Sequence, residues 1–367
     1  MTVFGTRPEA IKLAPVIQEL DRREINQVVC VTGQHREMLD QMLSIFNISP
    51  DHDLNIMARG QSLSHIVSKS LTGLDSVIED EKPDLIVVQG DTTTTFAAAL
   101  AGFFHKIPVA HIEAGLRTNN KYSPFPEEIN RRMVTQIADL HFAPTDTAAT
   151  NLAKSGVQNN DIYITGNTVI DAVLQVSNLL APVENTELKK LISDDKQFVL
   201  VTTHRRENLG DGMESIFTAI KRLAIDFPQT TYLFPVHLNP AIREHAEKVF
   251  NGVSNVILTQ PFSYTDMAIS LKTTYMVLTD SGGIQEEAPA FGKPVLVLRD
   301  TTERQEGVDA GTAILTGTDE QAIYRSAHKL LSDANAYREM SHATNPYGDG
   351  TAARQIVDAL KNYFDRD

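Results

Sequence analysis

Short β-branched and aliphatic runs recur along the chain, each followed by a longer stretch of helical period, and this alternation restricts the fold more than any other feature. Strands separated by helices run parallel, because the crossover returns the chain to the same end of the sheet, and the helices then cover the sheet's faces. The runs come in two series. MTVF, QVVCVT, DLIVVQ, PVAHI, LHFA and IYIT occupy the first half, and FVLVTT, TTYLFPV, NVILTQP, YMVLTD, PVLVLR and TAILTG form a fresh set. Between them, 166–195 holds a helical stretch, NTVIDAVLQVSNLL, and a polar stretch, APVENTELKKLISDDK, which reads as a linker. An α/β protein of two doubly wound, Rossmann-like domains is expected, the first over 1–168 and the second over 169–350. The closing helical segment, within 351–367, is expected to pack back on the first.

A length of 367 residues accommodates two such domains, and an apolar fraction of 42% is ample for two cores. The net charge of −14 argues against a nucleic-acid surface, which is built from clustered Lys and Arg that neutralise phosphates. Any phosphate site is therefore local. The single cysteine, Cys30, lies inside QVVCVT, where it has no partner for an internal disulfide and reads as a buried strand residue. No apolar run approaches the roughly 18 to 20 residues that span a bilayer. The chain reaches Arg7 and Glu9 almost at once, with no signal-peptide pattern, so a cytoplasmic location is expected.

In open α/β sheets ligands bind beyond the carboxyl ends of the strands, and the polar residues collect there. GTRPE after MTVF gives Arg7 and Glu9, and GDTTTT after DLIVVQ gives Asp91. EAGLR after PVAHI gives Glu113 and Arg117, and HRREN after FVLVTT gives His204, Arg205, Arg206 and Glu207. Asp91 and Thr92 are also good helix starters, so each position alone has a structural reading. Their recurrence in both series is what the structural reading does not supply, and it is expected if the two C-terminal edges face each other across a cleft. After YMVLTD, Ser281-Gly282-Gly283 aims backbone amides at a ligand from the start of a helix, the pattern of an anion site. Glu286 and Glu287, about one turn further, are placed to accept from ribose hydroxyls, and Arg304 can clamp the same anion with two parallel donors. Phe262 in QPFSY is a candidate to stack on a base, though such a ring is more often core. A nucleoside diphosphate site in the second domain is expected.

GTRPEAIKLAP, GQHREML, GDTTTTFAAALA, EAGLRT, YSPFPEEINR, THRRENLG, PVHLNP, TDSGGIQEEAP and RDTTER, in this order, resemble the non-hydrolysing UDP-N-acetylglucosamine 2-epimerase family across nearly the whole chain. The resemblance implies a fold similar to GT-B glycosyltransferases, a homodimer, and reversible interconversion of UDP-GlcNAc and UDP-ManNAc with no external cofactor or metal, supplying bacterial surface polysaccharide. It implies elimination of UDP to 2-acetamidoglucal and re-addition after protonation on the other face. Carried over by motif, Arg7 and Lys12 belong to the catalytic group, Asp91, Glu113 and Glu127 supply the carboxylates, and His204 lies near the phosphates. Contacts to UDP fall on Arg7, His204, Phe262, Ser281, Gly282, Gly283, Glu287 and Arg304. Gln34, Arg205 and His237 match positions associated with a second, activating UDP-GlcNAc.

The sequence departs from that pattern in three places. In NIMARGQSL, Gly60 stands where some relatives carry a basic residue and Arg59 is displaced by one; Gln305 follows Arg304 where proline is common. The first strand has four residues before Gly5 where relatives carry more, so a shortened start is expected to loosen the hold on Arg7. A hydrolysing epimerase, a GT-B glycosyltransferase and a non-catalytic nucleotide-sugar sensor remain as alternatives. The carboxylates Asp91, Glu113 and Glu127 weigh against the last two.

Overall fold

The computed structural model describes residues 1–179, 182–205, 208 and 210–365. Arg206 and Glu207 of the HRREN motif lie outside the described residues. The chain divides into two compact units, one formed by Met1–Ala172 with Tyr347–Asp367 and the other by Val173–Pro346.

The first unit is built on the strands β1 (Thr2–Phe4), β2 (Val29–Val31), β3 (His52–Asp53), β4 (Ile86–Gln89), β5 (Val109–Ile112), β6 (Leu140–Ala143) and β7 (Ile162–Ile164). They pair in parallel in the order β3-β2-β1-β4-β5-β6-β7. The second unit carries β8 (Phe198–Thr202), β9 (Thr231–Pro235), β10 (Val256–Thr259), β11 (Met276–Thr279), β12 (Val295–Val297) and β13 (Ala313–Leu315), also parallel, in the order β10-β9-β8-β11-β12-β13. Both sheets are doubly wound, and each reverses its winding at one place: between β1 and β4, and between β8 and β11. At such a switch point the two flanking loops diverge and leave a crevice at the carboxyl edge.

The central strands VCV, IVVQ, FVLVT and MVLT are buried throughout, as strands covered on both faces must be. In the first unit Val3, Cys30, Ile86 and Val88 pack with Leu74, Val77 and Ile78 of the helix Leu63–Glu81 and with the alanines of the helix Thr93–Phe104. Small residues let that second helix lie close to the sheet. A Cβ on Gly102 would come within 2.9 Å of Val109 Cγ2. In the second unit Val199, Val201, Met276 and Leu278 meet Ile216, Phe217, Ile220 and Leu223 of the helix Asp211–Asp226. Cys30 is fully buried, and burial pushes its thiol up to about 12.

Two elements differ from expectation. The polar stretch read as a linker contains the helix Thr186–Ser193: the Asn185 side chain accepts from the amides of Glu187 and Leu188, at 3.1 and 3.0 Å, and Leu188 and Leu191 are buried one turn apart. A strong cap and two leucines suffice where charged neighbours hide the period. The edge strand β3 is two partly exposed polar residues with no apolar run to announce it. In the first unit the helix Ala352–Phe364 buries Ile356, Val357 and Leu360, and Asp171 Oδ1 accepts from Ala353 N at 2.9 Å near its start. Among the described residues no helix is long and apolar enough to cross a membrane.

Candidate active site

At the first switch point the loop after β1 opens the helix Arg7–Arg22 and the loop after β4 opens the helix Thr93–Phe104. One buried carboxylate ties them together. Glu9 Oε2 accepts from Gly5 N (3.0 Å), Thr6 N (2.8 Å) and Thr6 Oγ1 (2.8 Å), completing a capping box with Thr6. Its Oε1 lies 2.7 Å from Thr92 Oγ1 and 2.9 Å from Thr95 Oγ1, across the switch point. Burial raises the Glu9 pKa, and the hydrogen bonds from Thr92, Thr6, Gly5 and Thr95 resist that rise. Glu9 is thus fastened on every side, with its role in the scaffold. Arg7, one residue into the same helix, makes no ion pair among the described residues.

Glu113 follows β5 and is the most constrained of the expected carboxylates. Its backbone sits at φ +62°, a left-handed conformation that a non-glycine residue holds only at a cost of about 1–3 kcal/mol. Four contacts fix the side chain, which is 9% exposed at the residue level. Lys12 Nζ donates to both oxygens at 2.6 Å, Asn167 Nδ2 donates to Oε1 at 2.9 Å, and Gln89 Nε2 donates to Oε2. With these four donors the acceptor positions of the carboxylate are well filled, and Lys12 sets a positive charge directly against it. The neighbouring Gly90 holds φ +74°, a conformation that favours glycine, at the turn after β4 beside Glu113. His111 Nε2 bonds the Gly90 carbonyl oxygen at 2.7 Å from below, and burial holds this histidine down at about 3, hence neutral and donating through Nε2.

Asp91 is paired with Arg131, and its backbone oxygen accepts from Asn130 Nδ2 at 3.0 Å, so the helix Glu127–Ile137 grips the loop after β4. Glu127 begins that helix, and its Oε2 is a buried atom with no hydrogen-bond partner among the described residues. Glu128, the next residue, is spent on structure: it accepts from Thr118 N (3.0 Å), Asn119 N (3.2 Å) and Arg132 Nε (2.8 Å). The geometry therefore separates the two glutamates of FPEE. Arg117, another strand-end charge, turns to Thr135 Oγ1 (2.9 Å) and the Leu116 carbonyl (2.8 Å); burial lowers it to about 10, and it braces the loop. Gln34 Oε1 accepts from Thr94 Oγ1 at 2.9 Å, in the same loop cluster.

At the second switch point the tie is Asp280, the last residue before Ser281. Its carboxylate accepts from Thr203 Oγ1, His204 N and Arg205 N, each at 2.9 Å, and from Asn208 Nδ2 at 3.1 Å, while His204 Nδ1 lies 3.1 Å from Oδ1. Ser281 stands at the N-cap position of the short helix Gly282–Glu287, with no capping hydrogen bond from its side chain. A Cβ on Gly282 would touch the Arg304 guanidinium at 3.4 Å, and one on Gly283 would meet no protein atom within 4 Å. Arg304 Nε donates to Glu286 Oε1 at 2.8 Å, so Glu286, expected at the ribose, instead holds Arg304 over the glycines. Glu287 is buried beside it, and Phe262 is half-buried in the loop after β10. The exposed ring of His237 stacks nearly parallel to His204 at 6.1 Å, and its Nδ1 accepts from Asn239 N. Arg205 keeps a buried Nε with no partner among the described residues.

Sequence reasoning passed over Gln89, Asn167, Arg131 and Asp280. Three of these four stand at or just after a strand end, the place where Glu113 and His204 were found. Among the described residues no group of three or more His, Cys, Asp or Glu is placed to hold a metal ion. The first unit thus offers carboxylates with cations beside them, suited to moving a proton, and the second offers open glycine backbone with an arginine and a histidine, suited to a diphosphate.

Known proteins give the same direction. A sequence profile described as UDP-N-acetylglucosamine 2-epimerase matches residues 18–361. The UDP-N-acetylglucosamine 2-epimerase of Bacillus subtilis (strain 168) is 54% identical over 365 residues, covering 99% of this chain and 95% of that protein. The crystal structure of UDP-GlcNAc 2-epimerase from Neisseria meningitidis bound to UDP-GlcNAc matches with TM-score 0.84 at 48% identity, over 98% of this chain and 99% of that one. The co-structure of S. aureus MnaA with UDP matches with TM-score 0.84 at 49% identity, over 100% of this chain and 96% of that one.

Proposed function

This chain belongs to the UDP-N-acetylglucosamine 2-epimerase family, and from that premise we propose that it interconverts UDP-GlcNAc and UDP-ManNAc reversibly at C2, without net hydrolysis. The observation that carries the reading is Glu113: a strained carboxylate after β5, held by Lys12, Gln89 and Asn167 beside the switch point.

The C2 hydrogen has no adjacent carbonyl to acidify it. As the C1–O bond to UDP breaks, its electron pair leaves with the diphosphate and positive charge grows at C1, and the C2 proton becomes removable. A carboxylate takes that proton, the C–H pair forms a C1–C2 double bond, and 2-acetamidoglucal and UDP result. Returning the proton to the opposite face of C2 while UDP re-adds at C1 gives the epimer, with no water consumed and no change of redox state. Asp91, Glu113 and Glu127 are the proton-carrying candidates. Arg7, Lys12 and His204 offset the charge that develops on the leaving group. Ser281, Gly282, Gly283, Arg304, Glu287 and Phe262 bind UDP. The ligands of the N. meningitidis and S. aureus relatives support a nucleotide-sugar site of this kind. In the same reading the enzyme is a dimer in the cytoplasm, its product feeds surface polysaccharide, and a second UDP-GlcNAc bound through Gln34, Arg205 and His237 activates it.

Quenching an equilibrated reaction and separating its components tests the path. The expected mixture holds both nucleotide sugars with a trace of 2-acetamidoglucal and an equal trace of UDP. Free ManNAc accumulating with stoichiometric UDP would place the protein with hydrolysing enzymes instead.

A further inference from the structure

Asp280 does more at the second switch point than join two loops. Its side chain is fully buried, and its Oδ2 takes donors from Thr203, His204 N, Arg205 N and Asn208. Resting on the reading of His204 as a group beside the departing diphosphate, we infer that Asp280 is a positioning residue that fixes the tautomer of His204, keeping the ring proton on Nδ1 and leaving Nε2 as the nitrogen that meets the ligand.

A carboxylate only accepts hydrogen bonds, so the nitrogen facing it has to carry a proton. Oδ2 takes four donors, and Oδ1, which also accepts from His204 N at 3.2 Å, has His204 Nδ1 3.1 Å away as its nearest ring nitrogen. Burial alone would raise the Asp280 pKa; the His204 contact and the backbone amides of Arg205 and His204 outweigh it and hold the group below its ordinary value. The acceptor is therefore present at neutral pH. The His204 side chain is 44% exposed, so one edge of the ring is held by Asp280 while the other remains reachable. The His237 ring lies nearly parallel to that of His204, with centroids 6.1 Å apart at 20°, and its Nδ1 accepts from Asn239 N.

The proton sits on Nδ1 whether the ring is neutral or charged, so any proton gained or lost is at Nε2. Because Asp280 directly precedes Ser281, the same residue sets the position of the glycine loop and the orientation of the histidine. A donor at Nε2 and the amides of the loop are thereby held as one unit.

Long-range nitrogen–proton NMR on protein labelled in its histidine rings reads the tautomer directly, with the His204 signals identified by their loss in His204→Gln. In alkaline solution, where the ring is neutral, Nδ1 should resonate as a protonated nitrogen and Nε2 as an unprotonated one. The reverse assignment, or averaging of the two nitrogens, overturns the inference. This reading uses the unsubstituted protein without substrate, so it stands apart from turnover: loss of the epimerase reading would come from the activity assays alone.

Asp280→Asn supplies the functional arm. It should lower kcat by about 10²–10⁴-fold, as expected when a catalytic histidine is released into the wrong tautomer, with UDP affinity nearly kept. In a His204→Gln background the same change should cost no more than about twofold further. Losses that multiply instead would make Asp280 a loop scaffold and defeat the inference. Should Asp280→Asn fail to fold, the tautomer measured in the unsubstituted protein still decides.

Discussion

The two switch points share one strand order, and each is stitched by a buried carboxylate, yet they do different work. Glu9 is enclosed by donors from Gly5, Thr6, Thr92 and Thr95, and none of these is a group expected to touch substrate. Asp280 also gathers loop donors but keeps one oxygen for His204. In the first unit Glu9 holds the loops, and the carboxylates proposed to carry the proton, Asp91, Glu113 and Glu127, are different residues. In the second unit both tasks, joining the loops and orienting His204, fall by the inference above to Asp280. The same strand order around each switch point sets where a site forms, and a few loop side chains decide what it does.

The largest test of that division is Glu113→Gln. It removes the proposed acid/base carboxylate from the first unit alone and should lower kcat by about 10³-fold or more while UDP affinity, measured by calorimetry, stays within a few-fold. Near-normal turnover would show that the strained carboxylate is structural. Next comes Arg304→Ala in the second unit. Loss of a charge-assisted contact to phosphate should weaken UDP binding by about 10- to 100-fold. Unchanged affinity would remove Arg304 from the diphosphate site and leave it as a partner of Glu286.

Acid provides a smaller contrast that works through stability. Asp280 has its folded pKa below the ordinary 3.8, so the stability it contributes is present above 3.8 and is lost as pH falls through the folded value. Glu9 has its folded pKa raised above 4.5, so the folded state takes up its proton first, and acidification through that window relieves a cost. The loops after β8 and β11 should therefore lose hydrogen-exchange protection at low pH before those after β1 and β4. Simultaneous loss in both units, or the opposite order, would contradict the distinction between the two stitches.

Much of this was legible in the sequence. Every strand except β3 announced itself as an apolar run, because central parallel strands are buried on both faces; β3 escaped as a short polar edge. The helix Thr186–Ser193 was hidden for a related reason, since Leu188 and Leu191 carry its inward face amid charged residues. At the site, residue types at strand ends pointed to Asp91, Glu113, His204 and the Ser281-Gly282-Gly283 turn. What remained unreadable was pairing. Asn167 meets Glu113 from 54 positions away, and Asp280 meets His204 from 76, so their roles arise from the sheet order and have no local signature. The same order explains why Glu286 went to Arg304.

On the proposed function this protein moves the C2 proton without hydrolysing the sugar nucleotide. Proton NMR of UDP-GlcNAc incubated with the protein in D₂O tests it most directly. UDP-ManNAc and recovered UDP-GlcNAc should both carry deuterium at C2, with both sugars still attached to UDP. Epimer that retains its original hydrogen at C2, or unchanged UDP-GlcNAc after prolonged incubation, would contradict it.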